Sequence, residues 1–223
     1  MKRILAVLLL GFGVGCAGGI PSDAKTTVLS FTELDCSGCG EDMAKTLINE
    51  DGIFKTAFNN RKAELTVIAE PDLDVFALAL RKKPPSEEWE LVAGAGKGNY
   101  IAWEKPKEGL DVIQVTTDGE DVESLEPHLA IGKVTIVDFS AKWCEPCRDL
   151  DKHVLKTLEG RTDLAYRKFD VGDWDTPLGA RYLKEVKDLP YVVVFDKTGN
   201  RVGVVSGADL AALDALIKKA AGP

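Results

Sequence analysis

Histidine is almost missing from this chain of 223 residues. It has only His128 and His153, neither near a cysteine pair in a zinc-ligand spacing, so the sequence offers no closed tetrahedral zinc motif. Basic charge is also short, with 28 Lys and Arg against 36 Asp and Glu and a formal net charge of -8. No basic stretch could neutralise a run of phosphates, so nucleic acid is excluded as a partner. Lys82-Lys83 reads as a solvated helix end. The apolar opening run, Ile4 to Val14, is eleven residues, too short for an ordinary membrane-spanning helix. No internal repeat or low-complexity tract occurs. What is present, 45% hydrophobic and 29% charged residues, fits a folded, soluble chain of one large domain or two small ones.

The start of the chain differs in kind from the rest. Lys2 and Arg3 precede the short apolar run, which ends in "GFGVGCAGG" with Cys16 after a small residue. Such a basic start and short apolar core suit an export signal. The segment resembles a bacterial lipoprotein signal, although Gly13 stands where Leu or Val is usual. The resemblance implies that residues 1–15 are removed and that Cys16 is lipidated. An ordinary cleaved signal with an incidental cysteine is the alternative. Removing 1–15 takes away two basic and no acidic residues and keeps all five cysteines. With lipid on Cys16, the other four fall into two pairs, Cys36/Cys39 and Cys144/Cys147. The implied location is the bacterial cell envelope, periplasm-facing and lipid-anchored, where dithiols tend to oxidise unless something reduces them.

Residues 16–25 read as a tether and 26–104 as a first domain. Within it, "TTVLSFTEL" is a strand and "CGEDMAKTLINE" a helix from Cys39. "GIFKTAFNN" and "KAELTVIAE" form a hairpin, and "PDLDVFALALRKK" is a helix opened by Pro71. A closing strand is either "WELVA" or "NYIAW". This order predicts a ferredoxin-like βαββαβ domain of the α+β class. Residues 105–110 are a polar linker, and 111–223 are a second domain of α/β class. There "DVIQVTT", "KVTIVDFSA", "LAYRKFDV", "YVVVFD" and "RVGVVSG" read as strands. "VESLEPHLA", the stretch after the second cysteine pair, "PLGARYLKEV" and "ADLAALDALIKKA" read as helices.

In "VDFSAKWCEPCRDLD" a strongly apolar strand runs into Trp143-Cys144-Glu145-Pro146-Cys147 at the start of a helix. Helix N–H groups aimed at the Cys144 sulfur favour the thiolate, the form that attacks a disulfide. Cys147, one turn on, can attack the mixed disulfide. A zinc site lacks further ligands, and a purely structural disulfide would close too small a loop to restrain much chain entropy. The segment resembles the thioredoxin superfamily, and in particular the periplasmic reducing domains of transmembrane thiol-disulfide reductases. The resemblance rests on the Cys pair, on Asp138 at the strand end and on Leu189-Pro190 before "YVVVF". It implies a thioredoxin-like fold over residues 111–223 and a dithiol/disulfide enzyme needing no other redox cofactor. Asp138 would move a proton to or from Cys147, Lys168 would pair with that acid, and Pro190 would be cis. Leu189 would lend backbone groups to an extended substrate, while Trp143 shields the sulfur or touches substrate. Glu145 should favour a reducing protein.

"LDCSGCGEDMAKTL" carries the other pair and resembles the heavy-metal-associated domain, with Leu34 where that family usually has Met. The resemblance implies Cys36 and Cys39 as ligands of a soft ion, Cu(I) or Hg(II), with Gly38 and Gly40 letting the loop fold around it. Three readings stand open: soft-metal binding, electron exchange with the second pair, or an inert disulfide. The first two are compatible, because the tethered second domain could reduce Cys36 and Cys39 for metal binding.

The expected function is a membrane-anchored, extracytoplasmic thiol-disulfide oxidoreductase, reducing in direction, with a CxxC metal-binding module. The expected partners are disulfide-bearing proteins, a membrane thiol reductase as electron donor, and a metal donor or acceptor. The alternative is a non-catalytic metal chaperone or sequestering lipoprotein.

Overall fold

The computed structural model describes residues 19–222. The signal-like segment and Cys16 therefore lie outside the described residues. Among the described residues, no helix is long and apolar enough to cross a membrane.

The first half of the chain runs β1 (Lys25–Thr32), α1 (Ser37–Ile48), β2 (Ile53–Asn59), β3 (Glu64–Ala69), α2 (Val75–Lys82) and β4 (Glu90–Ala93). The four strands order as β2-β3-β1-β4, every neighbouring pair antiparallel. Leu29 and Phe31 of β1, Leu65 and Val67 of β3, and Met43 and Leu47 of α1 share one core. Their spacing is two along the strands and four along the helix, as half-buried strands and an amphipathic helix require. α2 opens a turn later than the sequence suggested, at Val75, because Asp74 caps it by accepting from Ala77 N–H at 2.9 Å. Both candidates for the closing element are used. "WELVA" supplies β4, while Tyr100 of "NYIAW" makes a single parallel bridge to Leu34 beside the first cysteine loop.

The second half runs β5 (Val112–Thr116), β6 (Val134–Ser140), α3 (Glu145–Leu158), β7 (Leu164–Asp170), α4 (Pro177–Tyr182), β8 (Tyr191–Phe195), β9 (Arg201–Ser206) and α5 (Leu210–Ala221). Its sheet orders as β5-β7-β6-β8-β9, parallel from β5 to β6 and antiparallel beyond. This is a mixed α/β sheet of thioredoxin-like topology. β6 and β7 are buried along their whole length, β6 mainly through apolar residues and β7 with Arg167, Lys168 and Asp170 buried among them. Alternation sends Val134 and Ile136 to the face covered by α3 and α5. Val137 and Phe139 go to the other face, with Leu178 of α4. Each fully buried aliphatic there contributes about 1.5–3 kcal/mol over exposure.

The helix expected at "VESLEPHLA" is not formed. Only a single 3-10 turn, Glu126–His128, is present. Pro127 lacks an N–H and biases Glu126 away from the α region, so no helical ladder propagates. His128 is placed structurally, its ring edge-on to Phe169 at 5.6 Å. His153 reaches Asp214 of α5 at 2.8 Å.

Candidate active site

The buried strand β6 delivers the chain to a short loop, Ala141–Trp143, that turns into α3. Cys144 N–H donates to the Ala141 carbonyl at 3.0 Å, closing that turn. Cys144 is the N-cap of α3, and its sulfur accepts from Cys147 N–H at 3.2 Å. Pro146 in the first turn has no N–H to leave unpaired. Cys144 and Cys147 are joined by a disulfide. Cys147 is wholly buried, and Cys144 keeps 5% exposure. The Leu189–Pro190 peptide is cis, and Leu189 lines the same cleft as Cys144. Trp143 donates its indole N–H to the Gly172 carbonyl at 2.8 Å, and its ring packs against the cores of both halves of the chain.

One turn along α3 from Cys147, around Asp151, lies a buried polar group of four side chains. Register pairs Asp138 of β6 with Lys168 of β7. The ion pair, however, runs from Lys168 Nζ to Asp151 Oδ1 at 2.6 Å, not to Asp138 as the sequence suggested. Asp151 stands four residues beyond Cys147 on α3 and so on the same helix face, which brings its carboxylate to the lysine first. The Tyr166 hydroxyl sits between the acids, 2.7 Å from Asp138 Oδ2 and 3.2 Å from Asp151 Oδ1. One phenolic proton cannot serve both, so full satisfaction requires a proton on one acid. Burial raises the Asp151 pKa while Lys168 opposes the rise, and because Asp151 has that cation and Asp138 has none bonded to it, the proton falls to Asp138. Burial, then the nearby Asp151 charge, raises the Asp138 pKa to about 7. Asp138 Oδ1 has no partner among the described residues. Lys168 is roofed by Trp103, whose ring centre lies 4.3 Å from the ammonium.

The first pair repeats the local design of the second. Cys36 is the N-cap of α1, and Cys39 stands three residues on, as Cys144 and Cys147 do in α3. Both are thiols here, half-buried, with their sulfurs 3.0 Å apart. Burial, then the hydrogen bond to Cys36, pushes the Cys39 thiol up to about 12. An ion held linearly between two thiolates needs them about 4.6 Å apart, twice a metal–sulfur bond of ~2.3 Å. Among the described residues no cluster of three metal-ligating side chains occurs. To hold a soft ion linearly, the two sulfurs would have to separate from their 3.0 Å spacing. Gly40 is not a hinge around a ligand: a Cβ there would lie 2.2 Å from the Phe58 ring, so the glycine permits close packing.

The two pairs share a cleft. One space of about 270 Å³ has Cys36 and Ser37 on one side and Trp143, Cys144 and Leu189 on the other. Ser37 N–H donates to the Trp143 carbonyl at 3.2 Å. Arg148 donates to both the carbonyl and the carboxylate of Asp35. Arg61 forms an ion pair with Asp118 farther along the contact. Sequence reading singled out Cys144, Cys147, Asp138, Lys168, Trp143, Leu189, Pro190, Cys36 and Cys39. The geometry adds Asp151, Tyr166, Asp35, Arg148 and Trp103. Of these only Asp151 had a local sign, its helical spacing from Cys147.

Comparison with known proteins follows the same half of the chain. The family model described as thioredoxin matches residues 120–219. The chain is 33% identical over 120 residues to thioredoxin H2-1 of Oryza sativa subsp. japonica, covering 50% of this chain and 83% of that protein. It is 32% identical over 110 residues to a thioredoxin of Coprinus comatus, covering 48% and 97% of the two chains. Thioredoxin-2 of Saccharomyces cerevisiae is 33% identical over 100 residues, covering 44% and 92%.

Proposed function

The chain belongs to the thioredoxin family through its C-terminal half, and from that premise we propose that it reduces disulfide-bearing proteins on the outer side of a bacterial membrane. The family relationship makes it a thioredoxin-fold enzyme with thiol-disulfide oxidoreductase chemistry. One observation carries the reading: Cys144 at a helix N-cap and Leu189 before Pro190 line one cleft, with Cys147 bonded to Cys144 and buried behind it.

In the reducing direction the Cys144 thiolate attacks a substrate sulfur and forms a mixed disulfide, and the other substrate sulfur leaves as a thiolate. The Cys147 thiol passes its proton to the Asp138 carboxylate, then attacks Cys144. The second substrate thiolate is released and the Cys144–Cys147 disulfide remains, the state seen here. Asp151, held by Lys168, keeps a second negative charge near Asp138 and so favours proton capture there. The Leu189 backbone offers pairing groups to an extended substrate segment, and Trp143 covers the sulfur.

The first half we read as a ferredoxin-like βαββαβ domain, a reading supported by its β2-β3-β1-β4 antiparallel order. Cys16 would anchor the chain through lipid, and a membrane thiol reductase would supply electrons. Cu(I) or Hg(II) could be carried at Cys36 and Cys39 only if the loop opened to separate the sulfurs, so no step is routed through a metal.

The test is dithiothreitol-driven reduction of insulin by the chain lacking its signal segment. The wild type should accelerate precipitation of the insulin B chain, and Cys144→Ser should abolish the acceleration. Equal activity in both would sink the enzymatic reading. Fractionation of cells carrying Cys16→Ser tests the anchor, with release from the membrane expected.

A further inference from the structure

We propose that Cys36/Cys39 is the intrachain redox partner of Cys144/Cys147, the two pairs trading one disulfide through a Cys36–Cys144 mixed disulfide. The inference rests on the oxidoreductase reading of Cys144/Cys147 and names a partner for that site.

The geometry is built for it from both sides of the cleft. Cys36 and Cys144 are the N-cap residues of their helices and line the same space. Cys39 and Cys147 each stand three residues behind, in the resolving position. Both neighbours of Cys36 are fastened to residues flanking the second pair. Ser37 bonds to Trp143 at 3.2 Å, and Asp35 takes the nearly buried guanidinium of Arg148. Cys36 is thus presented on a loop tied at both ends to the edge of the Cys144 site. The Tyr100 hydroxyl is buried without a partner among the described residues. Its strand-like segment brackets the same loop, with Leu34 N–H on the Asn99 carbonyl at 3.0 Å and Ile101 N–H on the Leu34 carbonyl at 3.1 Å.

The state in the structure, a Cys36/Cys39 dithiol facing a Cys144–Cys147 disulfide, is the starting point of one direction. The Cys36 thiolate attacks Cys144 Sγ. The Cys144–Cys147 bond breaks, and Cys147 leaves as a thiolate that takes up a proton. Cys39, having lost its proton, attacks Cys36 Sγ, forming Cys36–Cys39 and releasing Cys144 as a thiolate. Two electrons pass from the first pair to the second, and no other reactant enters. An external dithiol then needs to reach only Cys36–Cys39. A partner docked in the same chain acts at an effective concentration of millimolar or more, above that of most encounters in solution.

The double variant Cys39→Ser/Cys147→Ser removes both resolving sulfurs. After mild oxidation and tryptic digestion without reductant, mass spectrometry should find a peptide joining Cys36 to Cys144 within monomeric chains. A second measurement avoids burying serine at position 147. The wild-type chain is given one disulfide equivalent with diamide, quenched by iodoacetamide at intervals, and the location of the disulfide is read by mass. Redistribution between the pairs should be first order, with a rate unchanged over a hundredfold range of protein concentration. A rate proportional to concentration, or cross-linking only between chains, would overturn the relay. Wild-type insulin reduction separates the two readings: if it occurs while the intrachain link fails, only the relay is lost, and if it is absent the enzymatic reading falls first.

Discussion

Arg148, the residue after Cys147, donates its guanidinium to the carbonyl and carboxylate of Asp35, the residue before Cys36. The arginine side chain is 7% exposed, so its charge has few alternatives to this contact. Asp35→Ala should leave it short of an acceptor, at a cost of about 1–3 kcal/mol. Urea unfolding followed by tryptophan fluorescence would measure that loss, and wild-type stability in the variant would show the contact to be incidental. The first-order exchange between the cysteine pairs should also slow at least tenfold.

Asp138 gives a pH signature. Its pKa lies near 7 in the folded chain, raised by burial, against about 4 when unfolded. Between those values the folded state holds a proton that the unfolded state has lost. The stabilising share is therefore complete below about pH 4 and is lost as pH rises through 7. Asp138→Asn should remove this slope and raise the melting temperature at pH 8, an effect on the order of 2–4 kcal/mol. The rate of mixed-disulfide resolution should rise through pH 7 in the wild type and lose that limb in the variant. A slope in stability that survives the substitution would assign it to another group.

Lys168→Met removes the cation from Asp151 while Asp151 stays buried. Breaking such a pair on one side costs about 3–5 kcal/mol. Because the Lys168 charge opposes the upward shift of Asp138, its loss should also move the pH midpoint of resolution higher. Stopped-flow kinetics across pH 5 to 9, roughly the range in which such groups titrate, would detect the displacement. An unmoved midpoint would mean that Lys168 has no electrostatic say in the proton step.

Gly40→Ala places a methyl group 2.2 Å from the tip of the Phe58 ring. That ring must then swing from its edge contact with Phe31, now at 5.6 Å between centroids. We expect destabilisation of about 1–3 kcal/mol by thermal melting. Glycine's value here is room for a ring, so Phe58→Leu should restore much of the loss. No rescue would point to a backbone requirement instead.

Much of the architecture is written in local pattern. Period-two burial in β3, the β-branched, largely apolar stretch of β6 and the helical spacing in α3 each announce their element. The cysteine pairs are visible as spacing plus a following helix. The clasp between Asp35 and Arg148 is not, because it joins residues 113 positions apart and both look like solvated surface charges. Asp151 shows only its helical spacing from Cys147; as an acid among the charges of "RDLDKH" it gives no sign that it is 1% exposed. The expectation that Lys168 would pair with Asp138 followed the family resemblance, and strand register does set the two side by side. The competitor came from a helix lying across the sheet, and strand pairing carries no information about it. At "VESLEPHLA" the expected helix is reduced to one turn, because Pro127 has no N–H with which to continue a helical ladder from Val122.

The matching placement of Cys36 and Cys144 at helix starts has a further consequence. Each sulfur faces the positive end of its own helix dipole, and the two ends open onto one cleft. In the proposed relay, a negative charge that leaves one sulfur and appears on the other passes from one helix start to another across a single cleft. Groups at the rim of that cleft, Glu145 and Leu189 among them, then bear on both pairs at once, so a substitution at either should shift the sharing of the disulfide between the pairs.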